Sequence, residues 1–144
     1  MLQRPETNIK RRFVAGFIDY AIISAITFAL IFIIGEPDGE GGYSLSGAPA
    51  LIPILLWFIL TVGLETALGG TLGNSIVRLK VIPASGTIRN LTIGESLKRH
   101  LMDPVDMFLF GIVAIVTISN TDRKQRVGDI WAETIVVKMK HLNL

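Results

Sequence analysis

Two long runs of hydrophobic residues dominate the pattern of this chain, and each is long enough to cross a bilayer. Residues 12–34 (RFVAGFIDYAIISAITFALIFII) would form a helix of about 34 Å, against a hydrocarbon core of about 30 Å. Residues 50–68 (ALIPILLWFILTVGLETAL) have the same character, and Pro53 lies in the first turn, where its missing N–H is tolerated. The pattern therefore predicts two full transmembrane helices.

A third hydrophobic segment, residues 94–119, has a path that the pattern leaves open. Its uninterrupted apolar part, residues 107–119, would make only about 20 Å of helix, which is too short to cross. The segment either crosses as one helix kinked at Pro104 or turns back near Gly111 and re-enters. Re-entry requires protein around the irregular backbone, because unpaired N–H and C=O groups are costly in lipid.

The residues between the second and third segments, 69–93, alternate in a way that is typical of strands. Residues 76–82 predict a first strand, PASG predicts a turn, and residues 87–91 predict a returning strand. The sequence TIVVK, Thr134–Lys138, supplies a third strand. Since a two-stranded hairpin alone is only marginally stable, we expect a small ribbon of three strands beside the membrane helices.

Charge around these segments predicts their orientation. Half of the residues are hydrophobic, 18% are charged and the mean hydropathy is +0.54, as in a membrane protein. Lys and Arg concentrate in residues 1–11, 69–93 and 120–144, whereas the acidic loop 35–49 has none. The positive-inside rule predicts a multi-pass protein of the cell membrane with a cytoplasmic N-terminus, ribbon and basic tail, and an external loop. A cytoplasmic tail favours re-entry of residues 94–119.

Composition also excludes several classes of function. The 144 residues suffice for one compact unit, so we treat residues 1–144 as a single membrane domain. The chain has no cysteine and only two histidines, far apart in sequence, so we expect neither a disulfide nor a metal site. No nucleophile has an acid–base relay, so we predict no catalytic residue, no cofactor and no enzyme. The basic residues cluster between the hydrophobic segments, so the net charge of +2 reflects membrane topology and does not indicate nucleic-acid binding.

Ionised side chains recur at one spacing inside the hydrophobic segments. Arg12 precedes Asp19 by seven residues, and Arg99 precedes Asp106 by the same interval. Seven residues return to the same face of a helix about 10 Å further along its axis. Two carboxylates at similar depth, each accompanied by an arginine, form a candidate site for a proton or a small cation. The same pairs would also lock helices together, and the spacing does not choose between these uses.

Two further acids belong to the candidate site. Glu65 lies near the inner end of the second run, where it faces either the lipid headgroups or Asp19 and Arg12. Asp103 follows His100 by three residues, and His100 is expected at the level of the headgroups, where it could protonate beside Asp103. Acids within a span cost about 2.5–3.5 kcal/mol on insertion, so each one needs an explanation.

Four blocks of the sequence resemble the RDD family of small membrane proteins, which is named for one arginine and two aspartates. The blocks are RFVAGFID at residues 12–19, GGTLGNSIVRLKVIPASG at 69–86, the R-x6-D spacing at 99–106 and RKQRVGDIWAETIVV at 123–137. The resemblance covers nearly the whole chain. The family pattern has a basic residue directly after TLG, where this chain has Asn74.

The resemblance implies functional positions and one class of function. Arg12 and Asp19 match the arginine and an acid of the family, Arg99 and Asp106 match a second such pair, and Asp129 matches the acid of the late block. Ligand transport has been proposed for the family, and some members are similar to cation/proton antiporters. Transport is therefore one function that the resemblance implies for this chain.

Two hypotheses about function stay open. The first is transport of a monovalent cation or proton through a homo-oligomer, because two spans and a third partial segment are too few to enclose a path in one protomer. The second is a non-transporting adaptor or regulatory subunit that binds another membrane protein, with the Arg–Asp pairs locking its helices. In both cases the lipid bilayer is the immediate partner of the chain.

Overall fold

A long, outwardly apolar helix organises the fold. The computed structural model describes residues 6–139; the outer ends of the two predicted tails lie outside this range. Helix α1 (Ile9–Ile34) buries only Ala15 and Ile23, while large apolar side chains such as Phe32, 74% exposed, point outward. A helix that exposes hydrocarbon along most of its length fits a lipid environment. α1 is one of two helices that are long and apolar enough to cross a membrane.

The predicted external loop contains a short hairpin that the sequence did not indicate. Strands β1 (Glu36–Pro37) and β2 (Tyr43–Ser44) pair antiparallel directly after α1. The ring of Tyr43 lies 6.3 Å from that of Phe32, centroid to centroid. The hairpin thus packs an aromatic side chain against the end of α1 before the chain enters the second hydrophobic run.

The second helix that is long and apolar enough to cross a membrane, α2 (Ala48–Leu68), is irregular. It opens with a 3-10 turn, Ala48–Leu51, and widens into a π-helical turn at Ile59–Gly63. Within that turn the hydroxyl of Thr61 donates to the carbonyl of Trp57 at 2.6 Å. Turns of this kind concentrate at functional sites, and this one lies directly before Glu65, which is buried.

The sheet beside the spans has two strands, so the predicted three-stranded ribbon is wrong. After the short helix α3 (Leu72–Ile76), β3 (Leu79–Pro83) pairs antiparallel with β4 (Thr134–Lys138), whose predicted bounds are confirmed. The strand predicted to start at residue 76 starts later, because Arg78 adopts a left-handed conformation, φ 58°.

Residues 87–91 form no strand because they lead into a helix. The side chain of Asn90 donates to the carbonyl of Ala67 at 2.8 Å, and Leu91 is buried under the sheet. Thr92 then caps helix α4 (Ile93–Leu101) through a reciprocal capping box. Leu91 joins the apolar core that holds the sheet together, which consists of Leu79, Val81, Leu91 and Val136.

The third hydrophobic segment bends sharply and returns toward the sheet. α4 continues into the single turn α5 (Asp103–Asp106), and α6 (Phe108–Asn120) leaves at 115°. The bend is completed at residues 109–111, all of which have positive φ, rather than at Pro104, which lies in the first turn of α5. After α6, Arg123 donates to the carbonyl of Ala84 at 3.3 Å, so the chain is again beside β3.

The two strands are parts of a structural repeat. A short helix precedes each strand, α3 before β3 and α7 (Val127–Trp131) before β4. The second residue of each helix is a glycine, Gly73 or Gly128, and the residue before each strand is left-handed, Arg78 or Glu133. Aligning the two glycines also aligns Val81 with Val136, which are paired across the sheet. The two halves are therefore related by a local two-fold axis.

Candidate functional site

Three arginines surround one carboxylate at the centre of the protein. Asp129, on α7, has no exposed surface; its Oδ2 accepts from Nη1 of Arg12 on α1 at 2.8 Å. Its Oδ1 contacts Nη1 of Arg99 on α4 and lies 3.7 Å from Nε of Arg126. A single carboxylate thus ties both R-x6-D segments to the C-terminal part of the chain.

The arginine and the aspartate of each R-x6-D segment, which were expected on one face of a helix, have separate partners. Arg12 binds Asp129 rather than Asp19, and Arg99 binds Asp129 and Glu65 rather than Asp106. Two helical turns separate the arginine from the aspartate in each segment, so the two side chains share a face without being neighbours. Each arginine instead reaches a residue on a different element.

The two aspartates of the repeat have equivalent structural partners. Asp19 accepts from the hydroxyl of Thr71 at 2.6 Å and from the N–H of Gly73 at 2.7 Å, at the start of α3. Asp106 accepts from the first two N–H groups of α7 at 2.9 and 3.0 Å. Carboxylates stabilise the free N–H groups at a helix N-terminus. Both acids therefore fix the short helix that precedes each strand.

Glu65 is buried among the side chains of α4. Its Oε2 accepts from Oγ of Ser96 at 2.6 Å and from Nε of Arg99 at 3.2 Å, and lies 3.4 Å from Nε2 of His100. Both predicted environments, the headgroups or Asp19 and Arg12, are thus replaced by contacts to α4. The other oxygen, Oε1, has no hydrogen-bond partner among residues 6–139.

Asp103 connects the histidine to α1 and to the C-terminal segment. It accepts from the hydroxyl of Tyr20 at 2.6 Å, lies 2.8 Å from Nδ1 of His100 and is 2.7 Å from Nη1 of Arg126. Nε1 of Trp57 donates to the Tyr20 hydroxyl at 3.3 Å. His100, expected at the level of the headgroups, is therefore buried in protein between two carboxylates.

Sequence reasoning missed several members of this network. Arg126 was assigned only to the basic tail, although it lies three residues before Asp129, where it begins α7. Tyr20 follows Asp19 directly, and nothing in its spacing marked it as a partner of Asp103. Proximity to a candidate acid was the one signal available for both residues. Tyr20 and Arg126 nevertheless supply two of the three side chains that contact Asp103.

The charges around Asp129 and Arg126 stabilise each other. Burial raises the pKa of Asp129, but Arg99, Arg12 and Arg126 outweigh it and hold the pKa at about 2, below the ordinary value of 3.8. Burial lowers the pKa of the Arg126 guanidinium, and Asp103, Asp129 and Asp106 raise it above its usual range overall. Both residues are therefore charged under ordinary conditions.

The low pKa of Asp129 predicts that the stability of the protein depends on pH. Ionised Asp129 stabilises the folded state above the unfolded-state pKa of 3.8, and this contribution is lost as pH falls toward about 2. The stability difference between the wild type and Asp129→Asn should hence be constant from pH 5 to 7 and shrink between about pH 4 and 2. Unfolding followed by circular dichroism in detergent measures it, and a difference that grows on acidification would contradict the assignment.

A cavity of about 590 Å³ opens beside the network. Its polar lining includes Asp19, Tyr20, His100, Asp103 and Arg126. Its apolar lining comes largely from α1 and α6 and includes Phe13, Phe17, Leu109, Phe110, Ile115 and Ile118. Among residues 6–139, no group of three or more His, Asp or Glu side chains is arranged to hold a metal ion. The cavity therefore combines charged and hydrocarbon lining.

Comparisons with known proteins agree with the sequence pattern. The model of the RDD family matches residues 7–133 of this chain. The chain is also similar to the uncharacterized protein YxaI of Bacillus subtilis (strain 168), at 27% identity over 88% of this chain and 93% of that protein. No solved structure matches. The matched range contains Arg12, Arg99 and Asp129, which are joined by ion pairs, and Asp19 and Asp106, which accept hydrogen bonds at the starts of α3 and α7.

Proposed function

The chain belongs to the RDD family, and on that premise we propose that it moves protons or monovalent cations across the cell membrane. α1 and α2 cross the bilayer in this proposal, with the N-terminus in the cytoplasm. The segment α4–α6 bends and re-enters from the cytoplasmic side, because the chain directly after α6 returns to β3. The positive-inside rule places the basic residues around the sheet in the cytoplasm. In this proposal the chain acts as one membrane domain.

The observation that carries the proposal is an excess of negative charge. Among residues 6–139, the cavity and the network behind it hold five carboxylates against three guanidinium groups, so a charged His100 still leaves one carboxylate uncompensated. Those groups are Asp19, Glu65, Asp103, Asp106 and Asp129, with Arg12, Arg99 and Arg126. Buried charge without compensation is costly, so this arrangement favours uptake of a proton or a cation.

The geometry supports a proton relay through His100. Its Nδ1 and Nε2 lie 2.8 Å from Asp103 and 3.4 Å from Glu65. An imidazole between two carboxylates can accept a proton from one side and release it on the other, because its two nitrogens exchange donor and acceptor states. Tyr20 and Asp103 connect this group to the cavity. The relay therefore extends from the second span to the cavity wall.

A homo-oligomer completes the proposed path. Large apolar side chains on α1 and α6 stay exposed in the single chain, among them Phe17 at 67% and Phe110 at 94%. The left-handed turn at residues 109–111 places irregular backbone at that surface, and irregular backbone at membrane depth favours protein rather than lipid around it. A second copy packed on this face would cover the turn and enclose the cavity.

The test is flux in proteoliposomes that contain a pH-sensitive dye. With an imposed Na⁺ or K⁺ gradient, the wild type should change the internal pH, and His100→Gln should reduce that change to the level of protein-free liposomes. Lys98→Gln is the matched control, since Lys98 is exposed on the same helix and should leave the flux unchanged. Flux that persists in folded His100→Gln would refute the proposed proton relay.

A second function, that of a non-transporting adaptor, is favoured by one observation. Asp19 and Asp106 each accept two hydrogen bonds at the start of a short helix, which is the arrangement of a structural lock. In that case Asp19→Asn and Asp106→Asn should lower the melting temperature and the capture of a membrane-protein partner. Wild-type proteoliposomes would then show no pH change in any gradient, which distinguishes the adaptor from the transporter.

A further inference from the structure

We propose that the cavity beside Asp19 binds an amphipathic organic cation, with its charge at Asp19 and its apolar part between α1 and α6. This assignment names the substrate class of the proposed function and rests on it. The argument draws on the partners of Asp19, the composition of the cavity walls and the charge balance around them.

Asp19 is the acid at this cavity with capacity for a further partner. Thr71 and Gly73 supply one hydrogen bond to each oxygen, and no ion pair to a Lys, Arg or His is found for Asp19 among residues 6–139. A carboxylate has roughly four lone-pair positions, so two stay available. The side chain is partly buried and lines the cavity. By contrast, Asp103 and Asp106 both face Arg126.

The walls near Asp19 suit a cation that is itself apolar. Phe13, Gly16, Phe17 and Tyr20 all line the cavity, at intervals that place them on one face of α1. A Cβ added at Gly16 would meet nothing within 4 Å, so the face has a gap between its aromatic side chains. Aromatic faces attract cations and repel anions. This favours an organic ammonium or phosphonium over an anion.

The size and charge of the cavity also favour such a ligand over two alternatives. A volume of about 590 Å³ lies in the range of sites for small organic molecules. A divalent cation such as Ca²⁺ or Mg²⁺ would need several oxygen ligands, and residues 6–139 offer no group of three or more acids or histidines for one. Arg12, Arg99 and Arg126 also line the cavity, but each is ion-paired with Asp129 or Asp103. Among residues 6–139, Asp19 is the lining carboxylate without an ion pair, so it favours a cation over an anionic lipid.

The test compares two probes of the same shape and opposite charge. Tetraphenylphosphonium and tetraphenylborate are each equilibrated with purified protein in detergent, and bound probe is measured by equilibrium dialysis. We expect the wild type to bind the cation and to bind the anion at least about tenfold more weakly. Asp19→Asn should weaken cation binding by at least about tenfold and leave anion binding unchanged.

Asp38→Asn is the matched control, since Asp38 also accepts two N–H bonds, from Glu40 and Gly42, but lies in the exposed loop. It should not alter binding. Gly16→Leu fills the gap in α1 without changing charge, and it should also abolish cation binding. This second variant keeps the test decisive if Asp19→Asn does not fold.

Equal binding of both probes, or cation binding that survives in both folded variants, would overturn the assignment and indicate an occupant held only by apolar contacts, such as an acyl chain. The outcome is separable from the flux test, because cation binding at Asp19 does not require His100. A wild type that binds the cation but shows no flux would refute transport alone. A wild type that shows flux but binds neither probe would refute the ligand class alone.

Discussion

Replacement of Asp129 by asparagine is expected to lower the free energy of unfolding by about 3–5 kcal/mol. The carboxylate has no exposed surface and is shared by Arg12, Arg99 and Arg126. Its removal leaves three largely buried guanidinium groups close together, so lost attraction is joined by repulsion among like charges. Denaturant titration in detergent micelles, followed by circular dichroism, measures the change.

Asp122→Asn provides the reference for this experiment. Asp122 is exposed, lies shortly before Asp129 in sequence, and loses the same charge on substitution. Surface changes of this type usually alter stability by less than about 0.5 kcal/mol. If Asp129→Asn changed stability as little as Asp122→Asn, the three arginines would have adequate alternative partners, and Asp129 would not be the centre of the network.

Replacement of Gly73 by alanine is expected to destabilise the protein by about 1–3 kcal/mol. A Cβ at this position would overlap the backbone of α1 at Ala15, lying 2.7 Å from its carbonyl carbon and 2.8 Å from its Cα. Backbone atoms of a helix cannot move aside as a flexible side chain can. α3 would therefore shift away from α1, and the hydrogen bonds of Asp19 to Thr71 and Gly73 would lengthen. Thermal unfolding in detergent should report the loss.

Gly94→Ala is the control for the Gly73 substitution. Both glycines are the second residue of a helix, but a Cβ at Gly94 would meet nothing within 4 Å. Alanine favours helix by up to about 1 kcal/mol relative to glycine, so Gly94→Ala should be neutral or stabilising. Equal losses for the two variants would show that backbone freedom, rather than close approach to α1, explains the effect at Gly73.

Local patterns predicted the elements whose formation depends on nearby residues. The two long apolar runs correspond to α1 and α2, and TIVVK forms β4 with the predicted bounds. The resemblance to the RDD family, read from four blocks, is confirmed by the match over residues 7–133. The predicted strand at 87–91 was wrong because the alternation of polar and apolar residues contains no information about distant partners. Asn90 binds the end of α2, and Leu91 packs in the sheet core.

Partner choice among the charged residues could not be predicted in the same way. The interval of seven placed Arg12 and Asp19 on one face of a helix, which was a statement about direction and not about contact. The actual partner of Arg12, Asp129, is 117 residues away in sequence. The repeat of Arg and Asp was nevertheless informative, since Asp19 and Asp106 have equivalent positions at the starts of α3 and α7.

The sequence by itself identified the RDD family, two helices apolar enough to cross a membrane, a third interrupted hydrophobic segment and several acids in unusual positions. Hydropathy, charge bias and helix breakers are properties of neighbouring residues, so they can be read without coordinates. Only the tertiary structure decided which charges meet, because β3 and β4 pair across the chain and bring α7 against α1 and α4. Packing of α4 against α2 places His100 between Glu65 and Asp103, and Asp19 lines the cavity.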